Sequence, residues 1–214
     1  QFDDNNSLGA SISFLRNPKL QTYGKTEGYV LRDEVLTETN TSIRSELGQN
    51  SNWSSNVYYV GKVGKLDIDF NTDWFWSKGN NKNNIDEHYQ EVNSEIQNQL
   101  VSSTTSKYNR LIASKMMLSY PLLGGDLSVG GEYSFTNRNT NYAIIPNTLA
   151  DNVIDRIKEG MASAFVTYNR DFGKLNMEAG LRYENVDFKY YDDSQYMAEQ
   201  SKTYGEWFPG AERG

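Results

Sequence analysis

Hydrophobic and polar residues alternate along much of this chain with a period of two, the spacing that sets successive side chains on opposite faces of a β-strand. In residues 66–76, Leu66, Ile68, Phe70, Thr72, Trp74 and Trp76 share one face, and Asp67, Asp69, Asn71, Asp73 and Phe75 share the other. In residues 127–136, Leu127, Val129, Gly131, Tyr133 and Phe135 oppose Ser128, Gly130, Glu132, Ser134 and Thr136. In residues 175–184, Leu175, Met177, Ala179, Leu181 and Tyr183 oppose Asn176, Glu178, Gly180, Arg182 and Glu184. The same period recurs less cleanly in residues 8–14, 23–32, 53–63, 111–122 and 161–169, which predicts an all-β chain of about eight strands.

The connections are of two kinds. Short turns with glycine, the residue that accepts a positive φ, stand at Lys62-Val63-Gly64-Lys65, Leu123-Gly124-Gly125-Asp126 and Arg170-Asp171-Phe172-Gly173. Between these hairpins lie long polar segments, residues 78–106, 137–158 and 187–206. Two stretches in and beside them have helical spacing: Tyr89, Val92, Ile96 and Leu100, and, after Thr148, Leu149, Val153, Ile154, Ile157 and Met161. They read as short loop helices or as extended strand tips. Short turns at one end and long excursions at the other form the connectivity of an antiparallel transmembrane β-barrel with short periplasmic turns and long extracellular loops. The ten residue steps of 66–76 span about 33 Å, which a tilt of about 40° projects to roughly 25 Å, the height of a barrel's apolar band. Aromatic residues collect at both levels: Trp74, Trp76, Tyr133, Phe135 and Tyr183 away from the short turns, and Tyr58, Tyr59 and Tyr120 near them.

Composition narrows the classes. The chain has 214 residues, no Cys, 15 Tyr and a net charge of -7. Without Tyr and with Gly, roughly 38% of it is apolar, against about 45–50% for a globular domain. That is thin for a solid core, yet the aromatic content is too high for disorder. Absence of Cys removes disulfide scaffolds and thiol enzymes, and the acidic balance leaves no electrostatic footprint for nucleic acid. No apolar run approaches the length of a membrane helix. Gln1-Phe2-Asp3-Asp4-Asn5-Asn6 has none of the features of a signal peptide. The chain reads as one unit, residues 1–214, mature, trimmed or part of a longer protein.

Candidate chemistry is sparse. His88 is the sole histidine, beside Asp86, Glu87 and Glu91, and one imidazole without Cys makes neither a zinc site nor a triad. Asp67, Asp69 and Asp73 stand about 7 Å apart per step and read as a hydrated lumen wall. Arg182, Glu184 and Glu178 share one polar face and are expected to neutralise one another or nearby lumen charges. Asp192-Asp193 and the acids from Asp151 to Asp155 lack the spacing of a calcium loop and read as solvated. Tyr89, Tyr142, Tyr190, Tyr191 and Tyr196 are available for stacking on a ligand at the outer mouth. No catalytic, cofactor or metal residue is assigned, and the ligand contacts stay open.

The run Asn56-Val57-Tyr58-Tyr59-Val60-Gly61-Lys62-Val63-Gly64-Lys65-Leu66 resembles the strand, turn and strand of the barrel of TonB-dependent outer-membrane transporters. So do Glu159-Gly160-Met161-Ala162, then Tyr168, Gly173-Lys174-Leu175 and Ala179-Gly180-Leu181-Arg182-Tyr183-Glu184, and finally Trp207-Phe208-Pro209. The resemblance covers the chain from about residue 50 onward, and such motifs speak to barrel architecture more than to substrate. It implies the outer membrane of a Gram-negative bacterium. It further implies outer-membrane lipid around the wall, an extracellular nutrient such as a glycan, siderophore or cobalamin, and energy coupling to TonB through a plug domain. The 22 strands, plug and coupling box of that family are not visible in this chain, so it is expected to be a segment of a larger barrel. Two alternatives stand beside it: a self-contained small barrel acting as porin or adhesin, and a soluble β-rich binding domain. No enzymatic activity is expected.

Overall fold

The computed structural model of the chain describes residues 5–173 and 175–213. They form one antiparallel sheet. Its strands are β1 (Asn6–Arg32), β2 (Val35–Val63), β3 (Leu66–Glu91), β4 (Gln97–Leu122), β5 (Gly125–Ile145), β6 (Val153–Phe172), β7 (Leu175–Asp192), the two-residue β8 (Gln195–Tyr196) and β9 (Lys202–Arg213). Each strand from β1 to β7 pairs with its neighbour in sequence, and β9 pairs with β7. β1 and β9 each carry one paired and one open edge among the described residues.

Several expectations are corrected by the strand lengths. Residues 8–14 and 23–32 belong to one strand, β1, interrupted by a register shift between Asn17 and Leu20 where Pro18 supplies no N–H to the ladder. The polar excursions are not irregular loops: β3 runs on to Glu91 and β4 begins at Gln97, so residues 78–106 form a hairpin with a short tip. Of the two readings of the helically spaced stretches, the strand tips hold, and a single 3-10 turn, Ala198–Gln200, lies in the last excursion. Polar side chains permit this because a hairpin in water satisfies its own backbone whether or not a face is buried.

Paired residues of an antiparallel sheet share a face, so the register carries two surfaces across the strands. One row reads Ile68, Leu118, Val129, Val166, Leu181 and Pro209. The adjacent row on the opposite face reads Asp67, Ser119, Ser128, Thr167, Gly180 and Gly210. Neither face is covered: among the described residues no hydrophobic side chain is buried, and Val166 and Leu181 are 39% and 41% exposed. A soluble β-rich domain needs a second layer on its apolar face, and the described residues supply none.

The register also fixes the slope of the strands. Trp76, Arg110, Asn137, Lys158 and Lys189 form one row, and Tyr183, the aromatic end of β7, lies six residues nearer the short turns than Lys189. Six residues measure about 20 Å along a strand and four strand spacings about 19 Å, so the aromatic level crosses the strands at about 45°. The turns drop likewise, by one residue per strand: in the Asp67 row, Asp67, Ser128 and Gly180 stand one, three and five residues from the start of their strands. That stagger corresponds to about 35°, and both values match the tilt of a closed barrel.

Aromatic rings mark the two ends of the apolar band. At the outer end Trp53 meets Trp74 edge-on at 4.7 Å, Trp76 meets Tyr108 at 6.2 Å and Tyr183 meets Trp207 at 4.8 Å. At the turn end stand Tyr59, Tyr120 and Tyr168, the last donating to the Leu122 carbonyl at 3.1 Å. Tyr58, expected in this inner girdle, pairs with Asn71 and so lies on the polar face, its ring against Gly9.

All three turns place a glycine at positive φ as expected, at Gly64 (φ +64), Gly124 (φ +77) and Gly173 (φ +76). In the Gly124 turn the preceding residue, Leu123, is also left-handed, with a φ of 52°, and is 78% exposed. A branched side chain there costs about 1–2 kcal/mol relative to a residue at ease in that conformation. Leu123→Gly is expected to raise stability by about 1 kcal/mol, measured as a shifted urea midpoint for refolding into phospholipid vesicles.

Candidate functional site

The polar face carries the chemistry, in three levels. Nearest the turns, Lys62 pairs with Asp67 at 3.1 Å, and Asn56 donates to Asp73 at 2.8 Å and Asn71 at 3.0 Å. Asp67, Asp69 and Asp73 all lie on this polar face, Asp67 beside the Lys62 ammonium and Asp73 beside the Asn56 amide.

At mid-height Arg182 joins three strands. Its Nη2 donates to Glu132 at 2.7 Å and its Nε donates to Glu184, while Lys115 reaches Glu132 at 3.3 Å. Two bases and two acids thus cancel, as expected for Arg182 and Glu184; Glu132 and Lys115 are partners that alternation within one strand cannot reveal. The guanidinium lies 5.9 Å from the Phe165 ring centre, and that ring covers Gly130, where a Cβ would meet it at 2.4 Å. Glu178 stays outside the network. It lines, with Lys115, Glu132, Arg182, Phe165 and Phe208, an open cleft of about 540 Å³.

Above the Trp53–Trp76 row a second cleft of about 500 Å³ opens on the same face, beside the Pro18 bulge. Gly48 and Gly79 floor it, Asn50, Asn81, Glu46 and Lys107 line it, and Leu20 forms its lip. Asn81 donates to Glu46 at 2.7 Å, but the side-chain oxygens of Asn50 and Asn81 are buried with no partner among the described residues. A buried acceptor without a donor is costly, so this cleft suits a ligand that brings hydrogen-bond donors. Nothing in the alternation pattern foretold it, because its walls meet only through the β1–β2–β3–β4 register.

The tyrosines expected at the mouth do not converge. Tyr89, Tyr142 and Tyr190 lie on the polar face at well separated heights, whereas Tyr191 and Tyr196 meet at 5.6 Å with their rings inclined at 60° on the apolar side. Tyr190 donates to Asp155 at 2.6 Å. That bond to a carboxylate, then loss of solvent, pushes its phenol up to about 12. Loss of solvent, then the Glu38 and Glu91 carboxylates, push the Tyr89 phenol up to about 12 as well, so in a 13C-tyrosine NMR titration two resonances are expected to stay protonated near pH 11, where ordinary tyrosines, at about 10, are mostly ionised. Tyr190→Phe removes one of the two, and Asp155→Asn moves that one down toward the ordinary range while leaving that of Tyr89 in place. His88 sits on an outer hairpin, 2.6 Å from Asn98 and 3.6 Å from Asp86. Among the described residues no three His, Cys, Asp or Glu side chains are grouped to hold a metal.

Residues 62–212 match a family model described as the outer membrane protein beta-barrel family. No curated protein matches the chain. Among solved structures, the alcaligin outer membrane receptor FauA from Bordetella pertussis aligns at 7% identity with a TM-score of 0.39, over 96% of this chain and 40% of its own. The copper transporter OprC aligns at 8% identity and 0.40, over 97% and 41%. The outer membrane protease OmpT from Escherichia coli aligns at 10% identity and 0.33, over 98% and 96%. The chain spans about two-fifths of the length of the first two.

Proposed function

The chain belongs to the outer membrane protein β-barrel family, and on that premise we propose that it forms wall, lumen lining and outer hairpins of a TonB-dependent receptor for a bulky nutrient. The apolar face then meets lipid, the polar face lines the lumen, and the short turns face the periplasm. The observation that carries the uptake reading is the upper cleft: an open hollow with two unpartnered amide acceptors, Asn50 and Asn81, on the polar face just outside the aromatic level. Binding there, rather than free passage, is what a receptor requires and a porin does not. The open edges of β1 and β9 agree with a wall that continues into further strands, since closure leaves no edge in lipid. The motif resemblance supplies the energy coupling; His88, exposed and paired with an amide, offers no support for catalysis.

The test uses the protein at its natural length. Proteoliposomes carrying it are expected to remain closed to raffinose, and the protein is expected to bind the purified periplasmic domain of TonB. Free raffinose passage without TonB binding would make it a porin and end the proposal.

A further inference from the structure

In the upper cleft glycine and asparagine alternate across two strands. Asn50 pairs with Gly79, and Gly48 pairs with Asn81, so two bare steps of backbone lie diagonally between two amide side chains. Neither glycine has a positive φ. Nor does packing demand them: a Cβ on Gly79 would meet the Asn50 Cβ and the Gln49 carbonyl at 3.7 Å, and one on Gly48 would meet the Asn81 Oδ1 at 3.8 Å, all ordinary contacts. The bare floor is therefore required by neither the backbone nor the neighbours, and what it provides is room. The cleft volume of about 500 Å³ is within the range of small-ligand sites.

The charges of the cleft are unevenly matched. Both carboxylate oxygens of Glu46 are occupied within the protein, one by Arg44 at 2.9 Å and the other by the Asn81 amide at 2.7 Å. That second bond fixes the Asn81 side chain, with its nitrogen on Glu46 and its oxygen over Gly48. Lys107 stands in the same row as Gly79 and Asn50 and forms no ion pair among the described residues. Arg138, on β5 in the next row toward the aromatic level and on the same face, forms none either. The cleft thus offers a cation without an anion, at Lys107, and two amide oxygens without donors, at Asn50 and Asn81. Asn50 and Lys107 are two strands apart, about 10 Å, with the Gly79 backbone between them.

We propose that this cleft binds an acidic sugar, a pyranose ring bearing a carboxylate, within an oligosaccharide nutrient; the inference rests on the receptor reading above and selects among the nutrients it leaves open. Such a ring is rigid and flat-sided. It lies on the Gly48 and Gly79 backbone with its hydroxyls around the rim, level with the Asn50 and Asn81 amides, and its carboxylate reaches Lys107. Leu20, in register with Gly48 and 67% exposed, covers the outer edge of the ring. An ammonium–carboxylate bond is charge-assisted and strong, and the hydroxyls supply donors to acceptors that are costly to leave alone. A ferric hydroxamate or catecholate presents further acceptors to those amide oxygens, and a neutral sugar leaves Lys107 unpaired.

The test is titration calorimetry of the natural-length protein in a neutral detergent with oligosaccharides of galacturonate, of glucuronate and of sialate, and with the methyl ester of each. Wild type is expected to bind at least one acidic oligosaccharide about tenfold more tightly than its ester. Lys107→Gln is expected to remove that preference while changing ester binding by less than about twofold. Gly79→Ala, whose methyl fits the fold but stands on the floor, is expected to weaken acid and ester alike by about tenfold. Lys78→Gln, on the opposite face of the same strand, is expected to change both by less than about twofold. Equal affinity for acid and ester, a preference that survives Lys107→Gln, or no binding of any of the three acids overturns the proposal. A triglutamate peptide bound as tightly as the acidic sugar makes this a general carboxylate site and overturns the sugar assignment. Capture of the periplasmic domain of TonB is measured on the same preparation. Capture without acid preference overturns this substrate and leaves the receptor reading standing; acid preference through Lys107 without capture upholds the site and ends the receptor reading.

Discussion

Val166→Arg is expected to destabilise the assembled barrel by about 2–4 kcal/mol, whereas Thr167→Arg, one residue along the same strand, is expected to cost less than about 1 kcal/mol. Val166 stands in the apolar row between Val129 and Leu181, near mid-height of the band. A guanidinium there enters hydrocarbon, where it has no partner and only a long reach to water. Thr167 points the other way, into the cleft that Glu178 and Glu132 line, and a guanidinium there meets water and carboxylates. Refolding into phospholipid vesicles, followed by the heat-modifiable gel shift of folded barrels, measures both. Equal loss at the two positions would mean that the faces are not lipid and lumen, and an effect confined to Thr167 would reverse them.

Arg182→Met carries the second large effect, a loss of about 1–3 kcal/mol. The guanidinium is 29% exposed and is shared by Glu132 and Glu184, at 25% and 26%. Removing it leaves two half-buried carboxylates in one cross-strand row, separated by Ser163, with Lys115 on Glu132 only. Adding Glu132→Gln and Glu184→Gln to the same chain is expected to restore part of the loss, because neutral amides no longer demand a counter-charge. Arg182→Lys restores little, since one ammonium cannot fork to two carboxylates. Urea unfolding of wild type, Arg182→Met, Glu132→Gln/Glu184→Gln and the chain carrying all three changes gives the coupling energy directly, and additive losses would show that the three side chains do not act together.

The architecture was legible because a β-strand writes its two faces into adjacent residues. Leu175 to Tyr183 against Asn176 to Glu184 needs no partner strand to be read. The turns were legible for a like reason at Gly64, Gly124 and Gly173, where local backbone geometry selects the residue. The second left-handed position of the Gly124 turn, Leu123, was not, because the hairpin on either side imposes a φ that the leucine itself disfavours. Tyr58 was misplaced for want of parity: Tyr58 and Tyr59 are adjacent, and only pairing with Asn71 and Phe70 tells which faces the lumen. The polar hairpins were read as loops because periodicity marks a strand only where one face is apolar, and in residues 78–91 both are hydrophilic.

The sequence by itself thus determined an all-β wall with one face for lipid and one for water, hairpins of opposite sidedness, and a band near 25 Å tall. All of these follow from side-chain order within single strands. The tertiary structure decided what depends on register between strands far apart in the chain: the tilt, the Arg182 network and the glycine-floored cleft with Asn50 and Asn81. A shift of one residue between two strands would scatter each of these while leaving every strand's own alternation intact.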